Sequence, residues 1–433
     1  MESGSSSKPE LSRAVGFWGA VWMGLGSILG TGVFVSLGIA AGVVGSGLVI
    51  AVALAALVAT ANGLSSAQLA AAHPVSGGTY EYGYKYLHPA AGFMAGWMFL
   101  LAKSASAATA ALGFSGYLLH TLNLPKDTPS RVGIALGLVA ALTLLVRSGI
   151  RRSASGNSII VGLTLITLIL FVVIGVQSAS VLPIRYDLLV GFLGDALTSI
   201  PSLLEATALM FVAYTGYGRI ATLGEEMKEP AKNIPPAIVT TLLISMVLYL
   251  SVAAVALSSA GAPSFAEAAE GGAAPLEVVA RGFPHPWVSR VVAVGAVTAM
   301  AGVLLNLILG LSRVLLAMAR RGDAPRYLAE VSPKSQSPNR AVVAVGIVIA
   351  GLVLAGDVKT TWSFSAFTVL IYYGITNLAA LRLPESERRF PKFISRLGLL
   401  SCFGLAFFVE WKIWLAGMVL LLLGFVFRTM LRL

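Results

Sequence analysis

A glycine-dense stretch, Gly24 to Phe34 with the sequence GLGSILGTGVF, interrupts an apolar segment that begins after Arg13. Each glycine weakens a helix by about 1 kcal/mol relative to alanine, so we expect the backbone to leave helical geometry at Gly30-Thr31-Gly32. Free N–H and C=O groups at membrane depth are tolerated only where they face protein or a cavity rather than lipid. A helix broken there offers backbone donors and acceptors to a small polar molecule. The stretch therefore predicts a binding site near the middle of the membrane.

Two other interpretations apply to this stretch. A nucleotide-binding glycine loop follows a strand and needs an acidic residue about 20 positions later. No Asp, Glu, Lys or Arg occurs between Arg13 and Glu81, which argues against nucleotide binding. Gly26 and Gly30 also have the spacing of a small-residue face through which membrane helices pack. That alternative stays open on the sequence alone.

The composition identifies an all-helical integral membrane protein. The chain has 433 residues, of which 57% are hydrophobic and 11% charged, against about 25% charged residues in soluble proteins. The run without charged residues before Glu81 exceeds twice the roughly 20 residues that one span needs. A net charge of +11 suggests nucleic acid in a soluble protein. Here its distribution between loops matters more, and we expect no nucleic-acid partner.

The hydrophobic pattern predicts about twelve transmembrane helices. We place them at 14–37, 44–71, 89–120, 130–147, 157–178, 197–222, 236–259, 286–318, 341–356, 359–381, 395–409 and 412–430. Most lysines and arginines outside these spans fall in alternate connections, which would place both termini in the cytoplasm. The short polar tail, residues 1–13, is then cytoplasmic.

Metal and catalytic chemistry find little support in the residue types. Cys402 is the single cysteine, so no internal disulfide forms, and the four histidines lack metal-ligand spacing. A membrane-embedded enzyme needs a cluster of acids or of His and Cys ligands inside the spans. The acids Glu205 and Glu410 stand alone, so we expect neither an enzyme nor a metal site.

The sixth span holds a second interruption, FVAYTGYGRI, at 211–220. It again sets glycine, hydroxyl and aromatic residues inside an apolar helix. Because five spans separate the two interruptions, the two broken helices run in opposite directions through the membrane. That is the requirement for an inverted repeat of five plus five spans, with the binding site at the interface between the repeats.

Four motifs carry a family resemblance: GSILGTGVF at 26–34, PVSGGTYEYG at 74–83, FVAYTGYGRIATLGEEMKEPAKNIPPAI at 211–238 and SRVLLAMARRGDAP at 312–325. Together they resemble the amino acid-polyamine-organocation (APC) transporters, in order and over nearly the whole chain. The resemblance implies a LeuT-like fold, with an inverted-repeat transport core at 14–390 (helices 1–10) and two further helices, 11 and 12, at 391–433. It also implies secondary active transport of amino acids by alternating access.

The resemblance implies roles for the broken helices. The substrate carboxylate would meet the backbone of Gly30, Thr31 and Gly32 at a positive helix end. The ammonium group would meet carbonyls of span one and span six. The carbonyls implied are those of Ile28, Val212 and Thr215, and Gly216 matches a glycine of the family motif in span six.

Aromatic residues are the candidates for contacts with the substrate side chain. We single out Tyr214, Tyr217 and Phe364, for each of which plain helix packing is the alternative. We place no arginine or acidic side chain at the pocket centre. This favours a neutral amino acid over a strongly charged one.

The coupling ion is the second open point. Many family members carry an acid two residues after the glycine that matches Gly216, where this chain has Gly218 followed by Arg219. Some carry a lysine where Thr164 stands. Lys103, an amine inside span three, is therefore the coupling candidate, either as a proton carrier or as a fixed charge where other members bind sodium. A lysine that reaches to the interface is the alternative. Apart from a proton or Na⁺ as coupling ion, we expect no cofactor.

Charged residues at the cytoplasmic end suggest an inner gate. Glu225 and Glu226 would pair with the cationic cluster after span eight, in which Arg320 and Arg321 are the gate candidates. Ordinary solvated loop charges are the alternative.

The leading interpretation is a multi-pass amino acid permease of the plasma membrane. Its partners would be the amino acid and the lipid bilayer, without an obligatory protein partner. An obligate exchanger is an alternative within the same class. A channel or sensor on this scaffold would need a continuous polar pore, and the sequence offers no ring of charged residues for one.

Overall fold

The computed structural model describes residues 13–75, 77–125, 127–149, 154–178, 194, 199–272, 274–332, 335, 337–355 and 357–430. Within these residues the protein is helical. The extended contact that the structure records here is an isolated bridge between Val15 and Met227. It ties the start of the first span to the turn after the sixth, since the Val15 N–H donates to the Glu226 carbonyl at 3.0 Å.

Each predicted span corresponds to helix in the structure. In the first half the helices are α1 (Phe17–Ile28), α2 (Leu37–Val44), α3 (Leu48–Ala72), α4 (Thr79–Tyr86), α5 (Pro89–Thr121), α6 (Thr128–Arg147) and α7 (Ala154–Ser178). In the second half they are α8 (Ile200–Tyr214), α9 (Gly218–Ala221), α10 (Pro230–Gly272), α11 (Pro275–Arg281), α12 (Trp287–Arg321), α13 (Asn339–Ala355) and α14 (Val358–Leu381). Two helices follow, α15 (Lys392–Ala406) and α16 (Trp411–Met430).

Eight helical stretches of the described residues are long and apolar enough to cross a membrane. The first, Phe17–Ala72, contains two of the predicted spans. The other predicted spans are the interrupted pair α8 and α9, the 17-residue α13 and the 15-residue α15. This arrangement fits the predicted twelve-span, LeuT-like fold.

Local sequence explains where helices begin. The Asp127 and Asp357 side chains accept hydrogen bonds from the backbone of Ser130 and Thr360, which caps α6 and α14. The helix of the seventh predicted span, α10, begins at Pro230, earlier than the predicted residue 236. Proline is tolerated in the first turn of a helix, where no N–H partner is needed. Pro230 occupies such a position, whereas Pro235 and Pro236 lie inside α10.

The core is built around long helices that pass through the centre of the bundle. α5 packs against both α12 and α14, and α3 packs against α8 and α10. α1 packs against α10 and also contacts the turn that interrupts the sixth span. The two interruptions thus meet inside the bundle.

Candidate functional site

The first interruption lies between α1 and α2. α1 ends at Ile28, Leu29 is extended with φ −77° and ψ 101°, and Thr31 is helical again. Gly32–Ser36 then forms a π-helical turn that continues into α2. The break predicted at Gly30-Thr31-Gly32 is confirmed as a break, but the extended residue is Leu29, one position earlier than the predicted stretch. Glycine content indicates where a helix is weak, but it does not determine the residue at which the backbone leaves helical geometry.

The second interruption is a tightening of the helix. α8 ends at Tyr214, residues 215–217 form a 3₁₀ turn, and α9 begins at Gly218. A short 3₁₀ segment inside a helix often marks a functional hinge. A side chain on Gly216 would collide with the backbone of Ser27. Only glycine therefore allows the two interruptions to touch.

The start of the outer half of span one presents donors. The first N–H groups of a helix have no partner within that helix, and Thr31 and Gly32 occupy these positions. The Thr31 hydroxyl is buried and finds no hydrogen-bond partner among the described residues. A buried donor of this kind is satisfied by water or by a ligand.

The carbonyls expected to meet an ammonium group each accept a side-chain hydroxyl. Tyr249 donates to the Ile28 carbonyl at 2.8 Å. Thr215 donates from its side chain to the Val212 carbonyl at 2.8 Å, and its own carbonyl accepts from Tyr373 at 3.1 Å. A carbonyl oxygen has two lone pairs. The Val212 carbonyl also accepts the Thr215 N–H, and the Thr215 carbonyl also accepts the Gly218 N–H, so both lone pairs of each are used. Of the three, the Ile28 carbonyl therefore keeps capacity for one more donor.

Sequence reasoning missed Tyr249 and Tyr373. Both lie in apolar spans, and a buried tyrosine hydroxyl needs a partner. This need for a hydrogen-bond partner was the signal in the sequence that could have indicated the two tyrosines. The helix termini that satisfy these hydroxyls belong to other spans, and only the packing of the bundle brings them together.

A cavity of about 190 Å³ begins at the interruption of span six, beside the end of α1. Of the backbone groups predicted to bind substrate, those of Thr215 and Gly216 line it, whereas the described lining does not include Ile28, Gly30, Thr31, Gly32 and Val212. Ser27, Thr215 and Gly216 line it there, and Gly77 and Ala317 line it near the predicted cytoplasmic end of the bundle. Its walls also include apolar residues of α5 and α12 and the polar side chain of Asn306. Four charged residues face it: Lys103, Arg219, Glu226 and Arg313.

Lys103 lies at the interruption of span six. Its ammonium group donates to the Thr215 hydroxyl at 3.0 Å, and that hydroxyl donates to the Val212 carbonyl. The amine therefore faces the cavity and is not directed to an interface. Thr164 behaves differently, because its hydroxyl donates to the Ile160 carbonyl of its own helix.

The predicted aromatic candidates are buried near the interruptions. The Tyr214 ring lies 5.0 Å from the Tyr249 ring, and its hydroxyl contacts the Val52 carbonyl at 3.5 Å. Tyr217 packs against Tyr373 with ring centroids 5.4 Å apart. Phe364 lies on α14 and is 9% exposed. None of the three is among the described residues that line the cavity, so their role in side-chain selection stays a prediction.

The glycines of span one face different neighbours. A Cβ on Gly26 would meet Asn157 of α7 at 2.7 Å, whereas a Cβ on Gly30 would meet Val303 of α12 at 2.5 Å. A Cβ on Gly32 would meet Ala213 at 2.7 Å. The pair Gly26 and Gly30 therefore does not form a single face against one partner helix. Close packing and backbone exposure both depend on these glycines.

The inner-gate residues are arranged differently from the expected pairing. Arg321 forms an ion pair with Glu81 of α4 at 2.8 Å, and its guanidinium lies over the Tyr84 ring. Arg320 is exposed at the end of α12. Glu226 lines the cavity instead, and Glu225 precedes it in the turn between α9 and α10. The predicted pairing did not include Glu81 of the short helix α4.

At the opposite end, α11 closes over the first span. The Tyr117 hydroxyl donates to the Phe34 carbonyl at 2.7 Å and accepts from the Leu276 N–H at 3.3 Å. Glu277 forms contacts of 3.1 Å with His120 and 3.0 Å with Arg281. Burial raises the pKa of Glu277, but the hydrogen bonds and the nearby charge of His120, together with Arg281, outweigh it and hold the pKa below its ordinary value.

Two broken helices that touch inside a membrane-embedded bundle, with a cavity beside their point of contact, are the arrangement found in many transporters. Comparison with known families agrees with this class. The chain belongs to the amino acid permease family of the APC superfamily, whose model matches residues 15–429.

Several transporters are similar to this chain over most of their length. The uncharacterized transporter Rv1999c of Mycobacterium tuberculosis is 41% identical over 415 residues, covering 96% of this chain and 90% of the relative. The branched-chain amino acid permease BcaP of Bacillus subtilis is 29% identical, covering 98% and 93%. The methylthioribose transporter of the same organism is 26% identical, covering 81% and 76%.

Proposed function

We propose that this protein is a secondary active transporter that carries amino acids by alternating access. One observation carries the proposal: Ser27, near the end of α1, lies against Gly216 of the second interruption, and both residues line one cavity. Broken helices at a repeat interface bind substrate through their ends. Membership of a family of transporters, rather than of enzymes, supports the same conclusion.

The ends of the broken helices suit the two charges shared by all amino acids. The N-terminus of the outer half of span one, at Thr31 and Gly32, suits the α-carboxylate because it carries the positive end of a helix dipole. Of the carbonyls that sequence reasoning implied, that of Ile28 suits the α-ammonium group best, because those of Val212 and Thr215 each already accept two hydrogen bonds. Neither interaction requires a charged side chain.

The side chain of the substrate is a separate question. The sequence prediction of a neutral amino acid depended on a pocket centre without arginine or acidic side chains, but Arg219, Arg313 and Glu226 line the cavity. The names of the relatives range from branched-chain amino acids to methylthioribose. They do not favour one side chain, so we base the proposal on the groups that all amino acids share.

Lys103 is our candidate for the coupling residue. Its contact with Thr215 joins span three to the interruption of span six. A proton carrier there would change this contact when it loses its proton. A fixed charge there would instead take the place of a sodium ion. The acidic position of many relatives is Gly218 here, so no carboxylate at that position competes for the role.

The test is uptake of a panel of labelled amino acids by proteoliposomes, with and without imposed proton and sodium gradients. We expect uptake of at least one amino acid, driven by a gradient. Complete absence of uptake and of exchange across the panel would contradict the proposed function. Exchange without gradient-driven accumulation would identify the alternative, an obligate exchanger.

Variants of Lys103 separate the two coupling mechanisms. If Lys103 carries the proton, Lys103→Gln removes accumulation but leaves exchange, because only the driven step needs the titrating amine. If it supplies a fixed charge, Lys103→Arg keeps substantial transport. Lys392→Gln removes an exposed lysine at the start of α15 and serves as the control. Unchanged gradient dependence in all variants, or strict sodium dependence of the wild type, would reject both mechanisms.

We also propose that the protein resides in the plasma membrane with both termini in the cytoplasm and works without an obligatory protein partner. Under that orientation the cavity opens toward the cytoplasm, since Gly77 and Ala317 lie near connections that the positive-inside rule places there. Reporter fusions at the two ends of the chain test the orientation. A C-terminus outside the cytoplasm would contradict it.

A further inference from the structure

The cavity carries more positive charge than a zwitterionic amino acid needs. The described residues that line it include Lys103, Arg219 and Arg313 but a single carboxylate, that of Glu226. An amino acid with a neutral side chain brings one positive and one negative group, and the helix ends can match both. The excess of cations on the wall therefore requires another explanation.

Two of these cations lie in the same region. Arg219 belongs to α9, about one turn beyond Thr215, and Arg313 belongs to α12 across the cavity. The charged neighbours of Arg219 are Arg313 and Glu226. One carboxylate cannot neutralise two guanidinium groups, and like charges held close together repel each other. Arg219 is half-buried and Arg313 is exposed at the wall of the cavity, so a ligand that enters the cavity can reach both.

Neither arginine is paired with an acid. No ion pair within 4.0 Å joins Arg219 or Arg313 to a carboxylate in the part of the chain that the structure describes. The same holds for side-chain hydrogen bonds of these two groups in the described residues. Ionisable groups inside a membrane protein are costly and pair with partners or mark a substrate pathway. Two unpaired arginines that face a cavity point to an anionic ligand.

The ligand chemistry follows from the guanidinium group. Arginine presents a planar fork of donors that matches a carboxylate with two parallel hydrogen bonds. Arg219 lies four positions after Thr215, about 6–8 Å along the axis, because the rise per residue is about 1.5 Å in an α-helix and about 2.0 Å in a 3₁₀ turn. A substrate whose α-groups lie at the interruptions therefore extends its side chain toward the arginines.

We propose that Arg219 and Arg313 bind the side-chain carboxylate of an acidic amino acid while its α-groups lie at the two broken helices. The proposal rests on the proposed function, because it adds a specificity site to the same transport pathway. It replaces the neutral substrate expected from sequence with glutamate or aspartate. Lys103 stays with Thr215 and is not part of this site.

The experiment compares labelled glutamate with labelled glutamine, which has nearly the same shape but no side-chain charge. Initial uptake rates into proteoliposomes give kcat/KM for each, for the wild type, Arg219→Gln and Arg313→Gln. The matched control is Arg396→Gln, which removes an exposed arginine on α15. Each variant is first checked for a monodisperse profile in size-exclusion chromatography, and the two arginine variants serve as replicates if one fails to fold.

We expect the wild type to prefer glutamate over glutamine by at least tenfold. The ratio should fall at least tenfold in Arg219→Gln and in Arg313→Gln and stay unchanged in Arg396→Gln. Equal or better uptake of glutamine by the wild type, or an unchanged ratio in both arginine variants, would overturn the proposal while leaving amino acid transport intact. Absence of uptake for every amino acid would instead overturn the proposed function and this site with it.

A free anion is the other source of the same chemistry. Replacing chloride with methanesulfonate, which has no carboxylate, separates the two sources. If the arginines bind the substrate, the preference for glutamate persists without chloride. Uptake of glutamate and glutamine at equal rates, both dependent on chloride, would show that the site binds a free anion and would overturn the proposal.

Discussion

Replacing Tyr249 with phenylalanine tests whether the Ile28 carbonyl receives the substrate ammonium group. The Tyr249 hydroxyl donates to the Ile28 carbonyl at 2.8 Å and also contacts the Ala213 carbonyl at 3.3 Å. Its loss leaves buried acceptors without this donor, at a cost of about 1–3 kcal/mol to the ligand-free protein. An ammonium group that takes the vacated position recovers part of this cost on binding. A recovery of about 1.4 kcal/mol corresponds to tenfold tighter binding.

Isothermal titration of the purified protein measures this effect, with the best substrate from the uptake panel as the ligand. We expect Tyr249→Phe to lower the Kd by about tenfold. Tyr327→Phe is the control, because it removes the same hydroxyl from a tyrosine that is exposed and lies outside the site. An unchanged or higher Kd for Tyr249→Phe, with an unaltered control, would refute the reasoning that the substrate uses this carbonyl.

Two further predictions follow from packing and charge. Gly216→Ala should abolish transport because the added methyl collides with the Ser27 backbone, whereas Gly162→Ala, with nothing within 4 Å of the added atom, should transport normally; normal uptake by Gly216→Ala would contradict the close contact. The lowered pKa of Glu277 means that this carboxylate stabilises the fold above its ordinary pKa of 4.5 and loses that contribution as pH falls through the lower folded value. Lowering the pH below about 4.5 should therefore reduce the Tm of the wild type more than the Tm of Glu277→Gln, in which the neutral amide still contacts His120. Thermal denaturation at a series of pH values measures this, and an equal pH dependence of the two Tm values would contradict it.

The two interruptions were predictable because their cause is local. Glycine weakens a helix wherever it stands, so the dense glycines near Gly30 and Gly216 indicated both breaks before any packing was known. The exact extended residue, Leu29, was not predictable. The position of the extended residue depends on how closely α1 packs against its neighbours, since a Cβ added at Gly30 would lie 2.5 Å from the Val303 side chain.

The chemistry of the walls was harder to predict because it comes from several spans. Arg219 and Arg313 were assigned to spans six and eight, but the sequence did not indicate that both face one cavity. Which face of a helix points inward is set by tertiary packing. For the same reason the roles of Tyr249 and Tyr373 were not predicted, because their hydroxyls donate to carbonyls of helices distant in sequence.

The gate shows a different limit. The acids after span six and the cations after span eight were chosen for their charge and their predicted side of the membrane. An ion pair that the structure records there joins Arg321 to Glu81 on α4. Surface cations have several acids within reach, so charge alone does not select the partner.

The central claim is that the substrate binds where the two interruptions meet, and a cysteine at Ser27 tests it most directly. Ser27 lines the cavity there, while the natural Cys402 is fully buried and will not react. Ser27→Cys should be alkylated by a small water-soluble thiol reagent in proteoliposomes, and saturating substrate should slow its labelling at least tenfold. Thr429→Cys, at an exposed position near the end of α16, should react equally with and without substrate. Labelling of Ser27→Cys at the same rate in saturating substrate would contradict the account.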